Sequence, residues 1–143
     1  MPDIRHSLLI NAPAEAIYPL VSTGEGFSQW WSADVTEGAG GLVELGFLNR
    51  STIYALKPVS AVTPLVANWL CTSGREWAGT RIEFKLERNG GKAQVRFTHA
   101  DWADETDYFI SCNTVWGGLM FRLRAAAEGK PQGPLFLANS LGY

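Results

Sequence analysis

The sequence predicts one α+β domain: a six- to seven-stranded antiparallel sheet curved around a long C-terminal helix, with two short helices after the first strand. Three observations carry this. "TRIEFKLE" and "AQVRFTHA" alternate on either side of "RNGGK", whose Asn-Gly is a strong hairpin signal. Ile82, Phe84 and Leu86 share one face of the first arm, and Val95, Phe97 and His99 share one face of the second. Short alternating runs with Gly and Pro punctuation fill the chain from residue 34 to the hairpin, and residues 104–129 then switch to helical spacing. A sheet that is apolar on one face needs a cover, and the long helix supplies it.

The elements follow in order. "IRHSLLI" (4–10) reads as a strand with Ile4, His6, Leu8 and Ile10 on one face and Arg5 and Ser7 on the other. In "NAPAEAIYPLV" the cap falls at Asn11 or Ala12, Pro13 opens the helix and Glu15 faces its dipole. Pro19 removes a backbone donor, so this helix is expected to kink or end there. "TGEGFSQWW" forms a second short helix between glycine breakers, with Phe27, Trp30 and Trp31 at i, i+3 and i+4. Strands are then expected in "ADVTE", "LVELGFL", "STIYALKPVSAV" and "LVANWLCT", and "SGREWAG" is a longer connection into the hairpin.

The last helix opens with acids and closes with Arg122, Arg124 and Gly129, as the dipole and C-cap rules prefer. Phe109, Cys112, Trp116, Leu119, Met120 and Leu123 form its apolar stripe. Gly117 and Gly118 in mid-helix each cost roughly 1 kcal/mol relative to Ala, which calls for a close backbone approach or a bend. The domain is set at residues 1–129. The tail 130–143 could be frayed, docked on the sheet or part of a dimer contact.

Composition narrows the function. Hydrophobic residues make up 46% of the 143 and charged residues 18%, so the chain is not a disordered one. A net charge of −2 without any basic run argues against nucleic acid. No apolar run is long enough to cross a bilayer and "MPDIRHSLLINAP" lacks a signal-peptide pattern, so the expected location is cytoplasmic, with no membrane partner. Cys71 and Cys112 are too few for a disulfide framework and read as small buried hydrophobes. Six tryptophans are unusual, and imply either a bulky core or an aromatic-lined cavity.

"INAPAEAIYPLVS…FSQWW", "EWAGTRIEFKLERNGGKAQVRFTHADW" and "VWGGLMFRLRAAAEGK" resemble the START-like superfamily of helix-grip proteins. The likeness is greatest to its Aha-type branch, the homologues of the activator of a heat-shock-protein ATPase. Ala12, Pro13 and Glu15 match that branch's "ApxExVW", and Trp30 and Trp31 match its Trp-rich turn. Gly79, Thr80, Phe97, His99 and Trp102 match "GTxVxFxLxxxxxGTxVxFxHxxW", and Leu119, Leu123 and Glu128 approximate "GWxxxLxxLxxxLE". The resemblance covers roughly residues 4–128. It is interrupted by Pro19, by Gly117 and Gly118 after Trp116, and by the added tail. It implies a helix-grip fold whose space between sheet and helix holds lipids, sterols, aromatic polyketides or nothing obvious.

Each candidate site has a plainer structural reading. His99 invites a proton-transfer role because His titrates near neutral pH. No second residue at recognisable spacing completes a catalytic group, which favours a hydrogen-bonded structural histidine. Asp101, Asp104, Glu105 and Asp107 crowd a helix start, where capping and the dipole account for them, so no metal and no cofactor are expected. The glycine runs "EGAGGL" and "NGGK" are hairpin turns, not phosphate loops.

Trp30, Trp31, Trp69, Trp77, Trp102 and Trp116 are hard to pack without voids. The expected ligand-binding set is Trp30, Trp31, Tyr54, Trp69, Phe84, Phe97, His99, Asn113, Trp116 and Met120. Of Trp30 and Trp31, one is expected to anchor the short helix and the other to look into the cavity, since adjacent helical residues diverge by about 100°. The expected function is binding of a small hydrophobic or aromatic molecule, with a homodimer left open. The alternatives are a cyclase, dehydratase or hydrolase using His99, and a co-chaperone-like regulator of a heat-shock ATPase.

Overall fold

The structure is a computed structural model and describes residues 1–60 and 63–137. Its strands are β1 (Ile4–Ile10), β2 (Asp34–Glu37), β3 (Val43–Phe47), β4 (Thr52–Val59), β5 (Val66–Ser73), β6 (Arg81–Asn89) and β7 (Lys92–Ala100). Its helices are α1 (Ala14–Val21), α2 (Gly24–Phe27) and α3 (Asp107–Ala127). All seven strands join one antiparallel sheet in the order β1-β7-β6-β5-β4-β3-β2, with a register shift between Ala55 and Leu56 where β4 meets β5. The last two residues of "STIYALKPVSAV", 61 and 62, lie outside the described residues, as does the tail beyond 137.

The alternation in the sequence puts the expected faces inward. Ile82 pairs with His99, Phe84 with Phe97 and Leu86 with Val95 across the β6–β7 hairpin, and all six are buried. The long helix buries the six residues of its predicted stripe, Phe109, Cys112, Trp116, Leu119, Met120 and Leu123. Thr106 caps its start by accepting from the Phe109 N–H, and Asp107 sits in the first turn beside the dipole. Its end closes by a Schellman pair, Lys130 N–H to the Ala125 carbonyl and Gly129 N–H to Ala126. The apolar stripe of α3 and the apolar face of the sheet are thereby pressed together, a seam in which each fully buried large side chain stabilises by roughly 1.5–3 kcal/mol.

The short helices differ in detail from the sequence expectation. Pro13 is itself the extended cap residue, and α1 runs two residues past Pro19 before ending at Val21. The broken end leaves carbonyls without helical partners. Two tryptophans satisfy the last two: the Trp30 indole N–H donates to the Leu20 carbonyl at 2.8 Å, and Trp69 donates to Val21 at 2.9 Å. α2 packs so closely against this end that a Cβ at Gly26 would lie 2.1 Å from the Pro19 oxygen. Only glycine fits there.

The mid-helix glycines have no such reason. A Cβ on Gly117 would meet His6 Cε1 at 3.7 Å and one on Gly118 would meet Leu135 Cδ2 at 3.9 Å, both ordinary contacts. The expected close approach is therefore absent.

Residues 134–137 turn back along the α2–β2 connection. Leu135 and Phe136 donate backbone N–H groups to Trp30 and Trp31, and Ala33 donates to Phe136. Arg122 holds the preceding turn through the Gln132 and Gly133 carbonyls. This part of the tail is docked.

Candidate ligand cavity

Two strained loops and one helix face bound a cavity of about 210 Å³ at the β3–β4 end of the sheet. The β3–β4 turn holds Leu48, Asn49 and Arg50 at φ of 53°, 55° and 66°. Arg50 pins that turn with ion pairs to Asp34 at 2.6 Å and Glu44 at 2.7 Å. The β5–β6 loop holds Gly74, Glu76 and Gly79 at φ of 118°, 58° and 90°. Left-handed backbone costs an ordinary residue roughly 1–2 kcal/mol, and four of the five such non-glycine residues described here, Leu48, Asn49, Arg50 and Glu76, lie in these two loops, with Leu48 lining the cavity. Strain of this kind concentrates where a fold holds groups in set positions.

The β5–β6 loop places Trp77. A Cβ at Gly74 would fall 2.1 Å from Tyr54 Cδ1, so the loop backbone lies directly on the tyrosine. Trp77 then stacks on Tyr54, with ring centroids 3.9 Å apart and planes 7° from parallel. Trp116 of α3 runs nearly parallel to Trp77 at 6.0 Å, and Trp31 leans on Trp116 at 4.8 Å. Phe47 and Phe136 meet edge to face at 5.0 Å, so the docked tail forms one wall. Tyr54 and Tyr108 share a hydrogen bond between their hydroxyls.

Within this cage the Trp77 indole is 4% exposed, and its N–H meets no nitrogen or oxygen acceptor. Its neighbour is the Cys112 sulfur, a weak acceptor at best. Burial raises the Cys112 thiol and pushes Cys71 up to about 12, so both stay protonated and inert as nucleophiles. Arg75 is the one charged side chain lining the cavity among the described residues. It lies over the Tyr108 ring at 4.6 Å and is 73% exposed.

His99 lies in the core behind the cavity. Trp116 Nε1–H donates to His99 Nδ1 at 3.1 Å, and His99 Nε2 meets Thr80 Oγ1 at 2.8 Å. Thr80 spends its own proton on the Trp77 carbonyl at 2.6 Å, so Nε2 must carry the hydrogen it donates to Thr80. Burial holds the imidazole down to about 3, and it is neutral at physiological pH. Both nitrogens are committed inside the fold.

The expected site residues separate into three groups. Trp31, Tyr54 and Trp116 line the cavity. Trp30, Trp69, Phe84, Phe97, His99 and Met120 are buried in packed core, where Phe27 meets Trp69 at 5.2 Å and Phe84 meets Phe97 at 5.2 Å. Asn113 is exposed on the outer side of α3. Sequence reasoning left Phe47, Arg75, Trp77, Tyr108 and Phe136 out of the expected ligand-binding set. The pair Gly74 and Gly79 flanking "REWA" was the available signal for two of them. Among the described residues no group of His, Cys, Asp and Glu could hold a metal, and no helix is long and apolar enough to cross a membrane.

No protein-family model matches the chain, and no curated protein matches it. Solved structures do. The chain is similar to the Aha1 dimer from Colwellia psychrerythraea, at 30% identity over 91% of this chain and 98% of that one, with a TM-score of 0.79. MLL2253 from Mesorhizobium loti matches at 8% identity over 90% of this chain and 98% of that one, with a TM-score of 0.75. CalU16 from Micromonospora echinospora matches at 14% identity over 92% of this chain and 68% of that one, with a TM-score of 0.72. The last two share the fold alone.

Proposed function

We propose that this chain, which belongs to the Aha-type branch of the START-like superfamily, binds one small aromatic molecule of one or two rings in the cavity between β3, β4, the β5–β6 loop and α3. The observation that carries this is an aromatic cage of about 210 Å³ walled by Trp31, Phe47, Tyr54, Trp77 and Trp116, with Arg75 at its edge. Pockets for small molecules combine an apolar lining with a few placed polar groups. Size narrows the ligand. Drug-sized molecules occupy about 300–1,000 Å³, whereas an apolar cavity of about 150 Å³ accepts benzene. The present volume lies between the two, which favours a ligand of one or two rings.

A proton-transfer reading of the same cavity draws no support from His99, whose nitrogens are both engaged behind it. Binding without covalent chemistry is the better-supported reading. The test is thermal unfolding with phenol, indole, 1-naphthol and a long-chain fatty acid. Saturable stabilisation by the aromatics, growing with concentration above their dissociation constants, supports the reading. No stabilisation by any of the four overturns it.

Self-association is a second reading with its own observation. Ile110 and Phe121 are 57% and 58% exposed on the outer side of α3, and the relative at 30% identity is described as a dimer. Sedimentation of the protein should give a dimer mass that Phe121→Asp converts to monomer; a monomer at all concentrations excludes it.

A further inference from the structure

We infer that the ligand of this cavity is an aromatic acid, with its ring against Trp77 and its carboxylate at Arg75. This deepens the binding reading above and rests on it. A lining with a single charged side chain, and that one a cation, favours an anion. Arg75 is available for one. It makes no hydrogen bond among the described residues, and its ion pair with Glu76 is long, at 3.9 Å from Nε. Glu76 is otherwise engaged, its Oε1 accepting from Thr106 Oγ1 at 2.5 Å. The guanidinium lies at the rim over the Tyr108 ring face, 4.6 Å from its centre, a contact that uses none of its donors. A planar guanidinium offers a carboxylate two parallel N–H groups.

Inside, the Tyr54 and Trp77 rings, stacked on one another, offer an aromatic wall to the ligand's ring. Arg75 and Trp77 are two residues apart in one strained loop, so the fold sets the charge and the ring contact together. The same rings could receive an organic cation, but the positive charge at the rim repels one.

The experiment compares three ligands with one ring system, indole, indole-3-carboxylate and tryptamine, by calorimetric titration of wild type, Arg75→Gln and Arg75→Lys. Wild type is expected to bind the acid about tenfold more tightly than indole, the effect of one charge-assisted contact at a partly exposed site. Arg75→Gln should bring the acid to parity with indole while leaving indole unchanged, and Arg75→Lys should restore part of the preference. The preference should also shrink as salt is raised. Saturable binding with acid and indole equal in wild type, or with tryptamine tightest, overturns the charge assignment and leaves the cavity reading standing. An acid preference that survives in Arg75→Gln overturns the role of Arg75. Binding of none of the three removes both.

Discussion

The Trp116 indole donates its hydrogen to Nδ1 of His99 at 3.1 Å, and this bond joins the long helix to the last strand through a neutral imidazole. A protonated ring would present N–H to N–H at that contact. The bond therefore makes His99 a sensor of acid in the stability of the fold.

His99 has an ordinary value of 6.5 and is held down to about 3 in the folded protein by burial. Between these values the unfolded chain binds a proton that the folded chain refuses. Its contribution to stability is thus complete above pH 6.5 and is lost as pH falls toward 3, at up to about 1.4 kcal/mol per pH unit. Urea unfolding at pH 7, 6 and 5 should show that decline, before the carboxylates titrate. His99→Phe should flatten it and should cost about 1–3 kcal/mol at pH 7, because the Trp116 N–H loses its acceptor.

Trp30 and Trp31 should separate stability from binding. Trp30 caps the Leu20 carbonyl inside the core, so Trp30→Phe should lower stability by about 1–3 kcal/mol. Trp31 lines the cavity, and Trp31→Phe should change the affinity for indole more than it changes the urea midpoint. Equal effects of both variants on both readouts would contradict the division.

The glycines make opposite predictions by position. Gly74→Ala and Gly26→Ala each drive a methyl to 2.1 Å from a fixed neighbour, and both should destabilise by about 2 kcal/mol or more. Gly74→Ala should in addition weaken ligand binding, since the neighbour is Tyr54. Gly117→Ala and Gly118→Ala meet only ordinary contacts and should stabilise α3 by roughly 0.5–1 kcal/mol each. Chemical unfolding of the four variants decides this.

Phe136→Ala removes one wall of the cavity, from a segment held mainly by backbone bonds to Trp30, Trp31 and Ala33. It should weaken binding of indole severalfold with a small loss of stability. Unchanged affinity would detach the tail from the site.

Most of the fold was legible because its signals are periodic. Alternation gave the faces of β6 and β7, and the i, i+3/i+4 spacing gave the six buried residues of α3. The cavity was less legible because it is what packing leaves over. Phe27, Trp30, Trp69, Phe84 and Phe97 fill the middle of the groove, and the aromatic cavity is left at its β3–β4 end. Asn113 follows Cys112 by one residue, about 100° further around the helix, which carries it out to solvent. Arg75 and Trp77 sit in a loop whose shape depends on Gly74 meeting Tyr54, twenty residues earlier in the chain. Phe136 reaches the site only through tertiary hydrogen bonds. The sequence divided the roles of Trp30 and Trp31 without saying which was which; Trp30 donates to the Leu20 carbonyl and Trp31 lines the cavity.

The most direct measurement is a calorimetric titration of indole into wild type and into Val115→Phe, which fills the cavity from α3 without touching Arg75 or Trp77 by substitution. Saturable one-to-one binding by wild type, lost in a Val115→Phe protein of undiminished melting temperature, is the result expected of a cavity that takes a small aromatic ligand. Equal binding by the two proteins, or none by wild type, would contradict it.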